Sequence, residues 1–235
     1  MRVIGILGGM SWESTALYYH AINTEVKSRL GGLHSAELVM YSLDFSVIED
    51  LQHKGDWDGA GAIMAEAGRK LAAAGAEAIL IATNTMHKRA DDVEQASGLP
   101  ILHIADATGD AIARAGLKRP LLLATAFTME QDFYKSRLED RFGLEVVIPN
   151  KDDRATVHRV IYDELCQGQI RDSSRQAYRD IIAKHQDDTD CVILGCTEIT
   201  MLISADDCPY AVFDTTALHA IAAVDFALTA NDRER

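Results

Sequence analysis

The stretch Val192-Ile193-Leu194-Gly195-Cys196-Thr197-Glu198 places a cysteine just after an apolar run of the kind that forms a buried strand. A second stretch, Ala78-Ile79-Leu80-Ile81-Ala82-Thr83-Asn84-Thr85, repeats this layout 113 residues earlier, with Thr83 in the place of Cys196. In open α/β sheets, ligands bind at the carboxyl ends of the strands. We therefore expect the two strand ends to present one reactive group to each face of a substrate carbon, with a thiol on one side only.

The duplication extends beyond these two strand ends. Residues 3–10 and 120–127 both form an apolar run that leads into a loop of small residues before a helix. Across the chain, short apolar runs alternate with longer amphipathic ones, which is typical of βαβ units and a mainly parallel sheet. The pattern predicts two copies of one α/β half with a cleft between them.

The last predicted strand and helix are expected to fold back onto the first half. The first domain is then 1–104 plus 210–235, and the second is 105–209. Strands are predicted near 2–7, 37–43, 78–82, 100–103, 120–124, 144–148, 191–195 and 210–213. Helices are predicted near 12–29, 57–74, 88–97, 105–115, 129–141, 153–167, 172–185 and 215–229.

Composition narrows the classes of function. The 235 residues carry a formal net charge of −13, whereas proteins that bind nucleic acid present basic surfaces. No segment approaches the roughly 18 apolar residues that a membrane span requires. The four cysteines match no zinc-binding spacing. The sequence predicts a cytoplasmic enzyme with a small-molecule substrate, without nucleic-acid, membrane or metal partners.

Cys196 is the strongest catalytic candidate. Most free cysteines are small buried apolar residues. This one follows Gly195 at a strand end and precedes a predicted helix, where the helix dipole and backbone N–H groups stabilise a thiolate. We therefore expect the pKa of the Cys196 thiol to be lowered.

Polar residues at the same strand ends are expected to bind the substrate. The loop Gly8-Gly9-Met10-Ser11 matches neither the G-x-G-x-x-G nor the Walker spacing of phosphate-binding loops. It suits either a carboxylate held by backbone N–H groups or a tight turn capped by Ser11. Capping is also an alternative role for Asn84, Thr85 and Thr197, while Gln52 is expected to recognise the substrate side chain. The expected substrate-binding residues are Met10, Gln52, Asn84, Thr85, Thr125, Thr128, Thr197 and Glu198.

Three histidines, His87, His103 and His158, are further candidates for proton transfer. A lone histidine near a strand end is more often a structural residue with satisfied hydrogen bonds than a base. No pair of histidines has the i, i+4 spacing, with a carboxylate, of a metal site.

Three motifs together resemble those of the aspartate/glutamate racemase family. They are Gly5-Ile6-Leu7-Gly8-Gly9-Met10, Thr83-Asn84-Thr85 with His87, and Gly195-Cys196-Thr197-Glu198, and the similarity runs nearly end to end. Segments such as Ser11-Trp12-Glu13-Ser14-Thr15 are most similar to the enterobacterial branch of amino-acid racemases. The resemblance implies two pseudo-symmetric, Rossmann-like α/β domains with the active site in the inter-domain cleft, a homodimer, and racemisation without a cofactor.

The resemblance also implies the catalytic pair. In the family, one cysteine thiolate removes the α-proton and an opposing cysteine returns a proton to the other face. By position, Cys196 is one of these groups and Thr83 occupies the place of the other. Typical aspartate racemases carry an Arg after the second strand, and this chain has none there. They also carry a Lys after the helix segment that corresponds to 161–165, where this chain has Cys166.

The substrate implied is aspartate, glutamate or a broader set of polar amino acids. The two missing cations weaken the case for a second substrate carboxylate, because burying an unpaired carboxylate is costly. Two alternatives stay open. One is a single-cysteine decarboxylase of the same superfamily, and the other is a non-catalytic small-molecule binding protein.

Overall fold

The computed structural model describes residues 1–229, which form two compact units. The first unit comprises Met1–His103 and the segment that begins at His219, and the second comprises Ile104–Leu218. Each unit has a parallel sheet flanked by helices, so the α/β class predicted from the sequence is confirmed. Within the described residues, no helix combines the length and the hydropathy that crossing a bilayer requires.

The first unit contains a four-stranded sheet in the order β2-β1-β3-β4. Its strands are β1 (Ile4–Gly8), β2 (Leu38–Ser42), β3 (Ala78–Ile81) and β4 (Ile101–Leu102). Its first four helices are α1 (Trp12–Leu30), α2 (Phe45–Lys54), α3 (Trp57–Ala73) and α4 (Ala90–Ser97), and a short 3-10 helix, Thr85–Arg89, follows β3.

The second unit contains a three-stranded sheet in the order β5-β6-β7. Its strands are β5 (Pro120–Leu123), β6 (Cys191–Leu194) and β7 (Ala211–Asp214). Its helices are α5 (Ile104–Arg114), α6 (Ala126–Glu130), α7 (Asp132–Phe142), α8 (Lys151–Asp163) and α9 (Asp172–Lys184), with 3-10 helices at Leu165–Gln167, Thr197–Met201 and Ala205–Asp207. Helix α10 (Thr215–Leu228) begins in this unit, and the unit boundary falls within it, before His219.

The inner strands are uniformly apolar because helices cover both faces of the sheet. In β1, Ile4 and Ile6 pack into a cluster with residues of α1 and α10. Leu7, on the opposite face, packs into a second cluster with residues of α2, α3 and α4. All three side chains are fully buried. This two-sided burial holds β1 and β3 rigidly and so fixes where each strand ends.

One predicted strand is wrong, and one helix was not predicted. The predicted strand at 144–148 forms only one bridge, between Val147 and Leu121, because the chain pairs briefly with β5 before Pro149. Helix α2 was not predicted, because only Ile48 and Gln52 of its residues are buried, which leaves little apolar periodicity.

The predicted domain boundary is also wrong at one end. Residues 210–218 were assigned to the first domain, but β7 pairs with β6 along its whole length and therefore belongs to the second unit. Strand pairing depends on long-range hydrogen bonds that a local apolar pattern does not reveal. Residues 230–235 of the predicted first domain lie outside the described residues.

The loop after β1 requires glycine at position 9. Gly9 has a φ of +87°, and a Cβ there would lie 2.1 Å from the Leu43 carbonyl oxygen.

We expect Gly9→Ala to lower the free energy of unfolding by roughly 3 kcal/mol or more. Gly75→Ala is the matched control, because Gly75 has a φ of +95° but no described atom within 4 Å of a Cβ. Strain alone then costs about 1–2 kcal/mol. Equal losses in urea unfolding would contradict the steric argument.

Candidate active site

Thr83 lies just beyond the end of β3, an inner strand of its sheet. It is two residues after Ile81, which is paired in register with Leu7 of β1. The intervening Ala82 donates its backbone N–H to the Leu7 carbonyl over 2.9 Å. The backbone therefore follows β1 up to the residue before Thr83.

Cys196 lies in the same relation to β6. It is two residues after Leu194, which is paired with Leu123 of β5, and the intervening Gly195 donates its N–H to the Leu123 carbonyl over 2.7 Å. The strand pairing and the last hydrogen bond are thus repeated in both units. Thr83 in the first unit and Cys196 in the second therefore occupy equivalent positions relative to their own sheets, in agreement with the duplicated sequence pattern.

Gly195 allows the backbone before Cys196 to approach β5 closely. A Cβ at this position would lie 2.9 Å from Leu122 Cδ1 and 3.0 Å from Ala124 Cβ. Both neighbours are fully buried and have little room to move. The small residue before the cysteine is therefore a packing requirement.

The Cys196 thiol donates a hydrogen bond to Glu198 Oε2 over 2.9 Å. Glu198 is itself buried. Burial and the nearby Glu198 carboxylate raise the pKa of the Cys196 thiol well above its usual range. The expectation of a lowered pKa is wrong, because the helix that follows is a five-residue 3-10 turn, Thr197–Met201, while a carboxylate faces the sulfur directly.

Thr197 is buried and receives a hydrogen bond from a neighbouring threonine. Thr216, in the first turn of α10, donates from its hydroxyl to Thr197 Oγ1 over 3.1 Å. The adjacent Thr215 hydroxyl donates to the Leu194 carbonyl over 3.0 Å, which attaches the same turn to the end of β6. Because Thr197 Oγ1 accepts from Thr216, its own hydrogen can be donated to a different acceptor.

Thr125 and Thr128 lie together at the start of α6. Thr125 caps the helix by accepting from the Thr128 N–H over 3.4 Å, and the two hydroxyl oxygens are 3.3 Å apart. His158 Nδ1 accepts from the Ala126 N–H over 3.2 Å. His158 also packs at 4.7 Å, between ring centroids, against Tyr162. Capping accounts for Thr125, and His158 stabilises the same helix start.

The loop after β1 is held from within. The Gly9 N–H donates to Thr15 Oγ1 over 2.8 Å, and the Thr15 hydroxyl donates to the Ser11 carbonyl over 2.8 Å. Ser11 Oγ accepts from the Ser14 N–H over 3.2 Å, which caps α1. Of the two interpretations of this loop, the contacts favour the capped turn, because the Gly9 N–H already has an acceptor. Met10, within this loop, is buried.

Gln52 presents an unsatisfied acceptor in the first unit. Its side chain is only 4 % exposed, and its Nε2 donates to Met86 Sδ over 2.9 Å. Among the described residues, its Oε1 has no hydrogen-bond partner. Met86 lies in the 3-10 helix that follows Thr83. Gln52 therefore packs against the 3-10 helix that begins two residues after Thr83, the candidate catalytic threonine.

Asn84 and Thr85 are both buried; Asn84 directly precedes the 3-10 helix after β3, and Thr85 is its first residue. Within the described chain, the Asn84 side chain makes no capping hydrogen bond to that helix, so capping does not explain its presence. His87, one turn further on, lies against His103 and His219. Sequence reasoning missed His219, because a histidine within an apolar helix carries no motif.

The match to protein families covers nearly the whole chain. Residues 7–223 match the family described as Asp/Glu/Hydantoin racemase. The chain belongs to this racemase family. Its membership confirms the resemblance stated from the motifs and identifies the chain as a PLP-independent racemase.

Similar solved structures and a named relative agree with this family assignment. A crystal structure of a Yersinia pestis protein, provisionally named an Asp/Glu racemase, shares 53% identity, covers 97% of this chain and 100% of its own, and has a TM-score of 0.92. An aspartate racemase homologue from Pyrococcus horikoshii shares 35% identity over 97% of this chain and 99% of its own, with a TM-score of 0.83. The broad specificity amino-acid racemase RacX of Bacillus subtilis is 22% identical in an alignment of 224 residues that covers 92% of this chain and 93% of RacX. The Yersinia relative fits the enterobacterial branch of the family.

Proposed function

We propose that this member of the racemase family interconverts the L and D enantiomers of polar amino acids by removing and returning the α-proton. The observation that carries this proposal is the equivalence of Thr83 and Cys196, each two residues past the same inner strand of its unit. Aspartate and glutamate are the first substrates to consider, given the names of the relatives. A broader set fits the broad-specificity relative.

Cys196 acts as the base in this mechanism. Its thiol proton passes to Glu198, to which it is already hydrogen-bonded. Neutralising the Glu198 carboxylate removes the negative charge that disfavours a thiolate. The thiolate then takes the α-proton from the substrate, and the thiol is regenerated.

The deprotonated substrate is stabilised at its α-carboxylate. The carbanion delocalises into that group as an enediolate, whose charge is stabilised by fixed hydrogen-bond donors. We assign this role to Asn84, Thr85 and Thr197. The Thr197 hydroxyl is suited to it because Thr216 already occupies one of its lone pairs.

Thr83 donates a proton to the opposite face, directly or through a water molecule. The alkoxide or hydroxide that remains takes a proton from solvent, and Glu198 releases its proton to solvent, which restores both groups. An alcohol is far less acidic than a thiol, so α-proton exchange is much faster from the enantiomer that faces Cys196 than from the one that faces Thr83, while kcat/KM for net conversion is the same in both directions. The equilibrium is unaffected, because enantiomers are isoenergetic. Prolonged reaction must therefore end at equal amounts of both.

The surrounding residues complete the proposed substrate site. Met10 contributes an apolar wall from the loop after β1, and Thr125 and Thr128 contribute hydroxyls at the start of α6. We further propose that the protein acts as a cytoplasmic homodimer, as the family resemblance implies. All four cysteines are free thiols, which suits a reducing compartment.

Gln52 is proposed to recognise the substrate side chain. As oriented, its free Oε1 suits a donor such as an amide or hydroxyl, and a flip of the amide presents Nε2 to a carboxylate. We expect Gln52→Leu to lower kcat/KM for the best substrate by about 10- to 100-fold, the effect of losing one buried hydrogen bond. Gln95→Leu, at an exposed position, is the control. The assignment fails if both variants keep the native kcat/KM.

A deuterium-exchange screen tests the function. Each amino acid, as L and as D enantiomer, is incubated with the protein in D₂O, and the α-proton signal is followed by NMR. The proposal requires loss of that signal together with the appearance of the opposite enantiomer. Ligand-induced thermal stabilisation without exchange would instead indicate a binding protein, and carbon dioxide release from a substituted malonate would indicate a decarboxylase.

A further inference from the structure

Three histidines are buried together in the first unit, close to the Thr83 turn. His87, His103 and His219 are 4 %, 9 % and 0 % exposed. The ring centroids of His87 and His103 are 4.5 Å apart, and those of His87 and His219 are 5.5 Å apart. They come from three distant parts of the chain, after β3, after β4 and within α10. The proposed mechanism uses none of them.

The His87 ring is hydrogen-bonded to the backbone of Thr83. Its Nδ1 lies 2.7 Å from the Thr83 carbonyl oxygen. Because a carbonyl only accepts, Nδ1 must carry a hydrogen and donate it. On the other side of the residue, the Thr83 N–H donates to the Ile81 carbonyl over 2.8 Å. Both backbone polar groups of Thr83 are therefore held, one of them by a side chain.

His219 forms a rigid neighbour for the His87 ring. Its Nε2 donates to the Leu102 carbonyl over 2.5 Å, and its Nδ1 accepts from the Tyr18 hydroxyl, 2.9 Å away. The Leu102 carbonyl only accepts, so Nε2 carries a hydrogen, and in the neutral ring Nδ1 then accepts from Tyr18. Burial also lowers the pKa of His219 to about 4, so the ring stays neutral at physiological pH.

The second unit lacks this arrangement. Thr200 stands four residues after Cys196, as His87 stands four after Thr83. The Thr200 hydroxyl donates to the Thr197 carbonyl over 2.7 Å, one residue further along than the bond made by His87. The side chain at the equivalent position of the second unit thus bonds to a different carbonyl. The Thr83 side carries the weaker acid, and fixed geometry favours proton transfer.

We propose that His87 is a positioning residue for Thr83. By holding the peptide between Thr83 and Asn84, it sets the direction of the Thr83 hydroxyl and of the Asn84 amide, while His103 and His219 fix the orientation of its ring. The inference rests on the proposed function, in which Thr83 returns a proton to one face of the substrate. It predicts an effect on that face only.

Two variants separate the role of Nδ1 from that of ring volume. The amide nitrogen of Asn takes the place of Nδ1, whereas that of Gln takes the place of Nε2, away from the Thr83 carbonyl. α-Deuterium exchange is measured separately for each enantiomer, and the one that faces Cys196 is identified by its loss in Cys196→Ala. On the Thr83 face we expect His87→Gln to lose about 10- to 100-fold, and His87→Asn to stay within about 3-fold of the native rate. His53→Gln, at an exposed position of α2, is the control.

The outcomes are distinct. Equal exchange rates in His87→Asn and His87→Gln would overturn the proposal, and so would a parallel loss on both faces, which indicates a structural role. If the native protein exchanges no amino acid, the proposed function fails and this inference fails with it. Nitrogen-15 NMR of the native protein reads the tautomer without any variant, and a His87 ring with a bare Nδ1 would overturn the proposal even where exchange occurs.

Discussion

Cys196→Ala is expected to abolish α-proton exchange from one enantiomer and, with it, net racemisation. Removing a positioned base from proton abstraction lowers the rate by about 10³- to 10⁴-fold. Net conversion falls as far as exchange, because every turnover uses both faces. The measurement is the loss of the α-proton signal in D₂O, followed for each enantiomer separately.

Thr83→Cys is the informative partner variant. It replaces Oγ with a sulfur at the position where the family carries a cysteine, and its thiol is far more acidic than an alcohol. We expect exchange on the Thr83 face to rise by at least about 10-fold, and the exchange rates of the two enantiomers to become more similar.

Cys191→Ala is the matched control for the base. Cys191 lies at the start of the same strand and is fully buried. Burial raises the pKa of its thiol, and it lies at the opposite end of the strand from the proposed chemistry. Exchange in this variant should stay at the native rate. Unchanged exchange in Cys196→Ala would exclude the thiol as the base.

Glu198→Gln is expected to change two properties of Cys196 in opposite directions. The carboxylate helps to raise the pKa of the thiol, so the native thiol stays protonated near neutral pH. Removing its charge lowers the pKa toward the ordinary range and increases the thiolate fraction. Alkylation of Cys196 by iodoacetamide should therefore become at least about 10-fold faster near pH 7.5.

In contrast to alkylation, catalysis should become slower in Glu198→Gln. The amide introduced by Glu198→Gln cannot accept the thiol proton, so we expect α-proton exchange to fall by about 100-fold. In alkylation against pH, the thiolate of the native protein appears well above the ordinary thiol range, and the midpoint falls in the variant. Glu139→Gln, on the exposed face of α7, controls for loss of a surface charge. If alkylation and exchange both fall, Glu198 acts by packing instead of by its charge.

The sequence predicted the strand ends correctly because their signal is local. Four consecutive buried residues precede each site, and Gly195 stands where a side chain would collide with β5. Two-sided burial leaves an uninterrupted apolar run in the sequence, and the polar residues after it mark the end of the strand. The equivalence of Thr83 and Cys196 follows from that pattern alone.

The electrostatics of the site were not predictable in the same way. Whether Glu198 turns toward Cys196 or away from it depends on side-chain orientation, which a spacing of two residues does not define. His219 bonds to Leu102, 117 residues away, and Thr216 bonds to Thr197, 19 residues away. Contacts of this kind follow from tertiary packing, and no periodicity of the chain records them.

Helix α10 restricts where the chain can gain or lose residues. It carries Thr216, which supports Thr197 in the second unit, and three residues later His219, which packs against His87 in the first. Successive residues of an α-helix are about 100° apart around its axis. One inserted or deleted residue between these positions would turn His219 away from its partners while Thr216 kept its own. Insertions and deletions in this family are therefore expected in surface loops and excluded from this single helical turn.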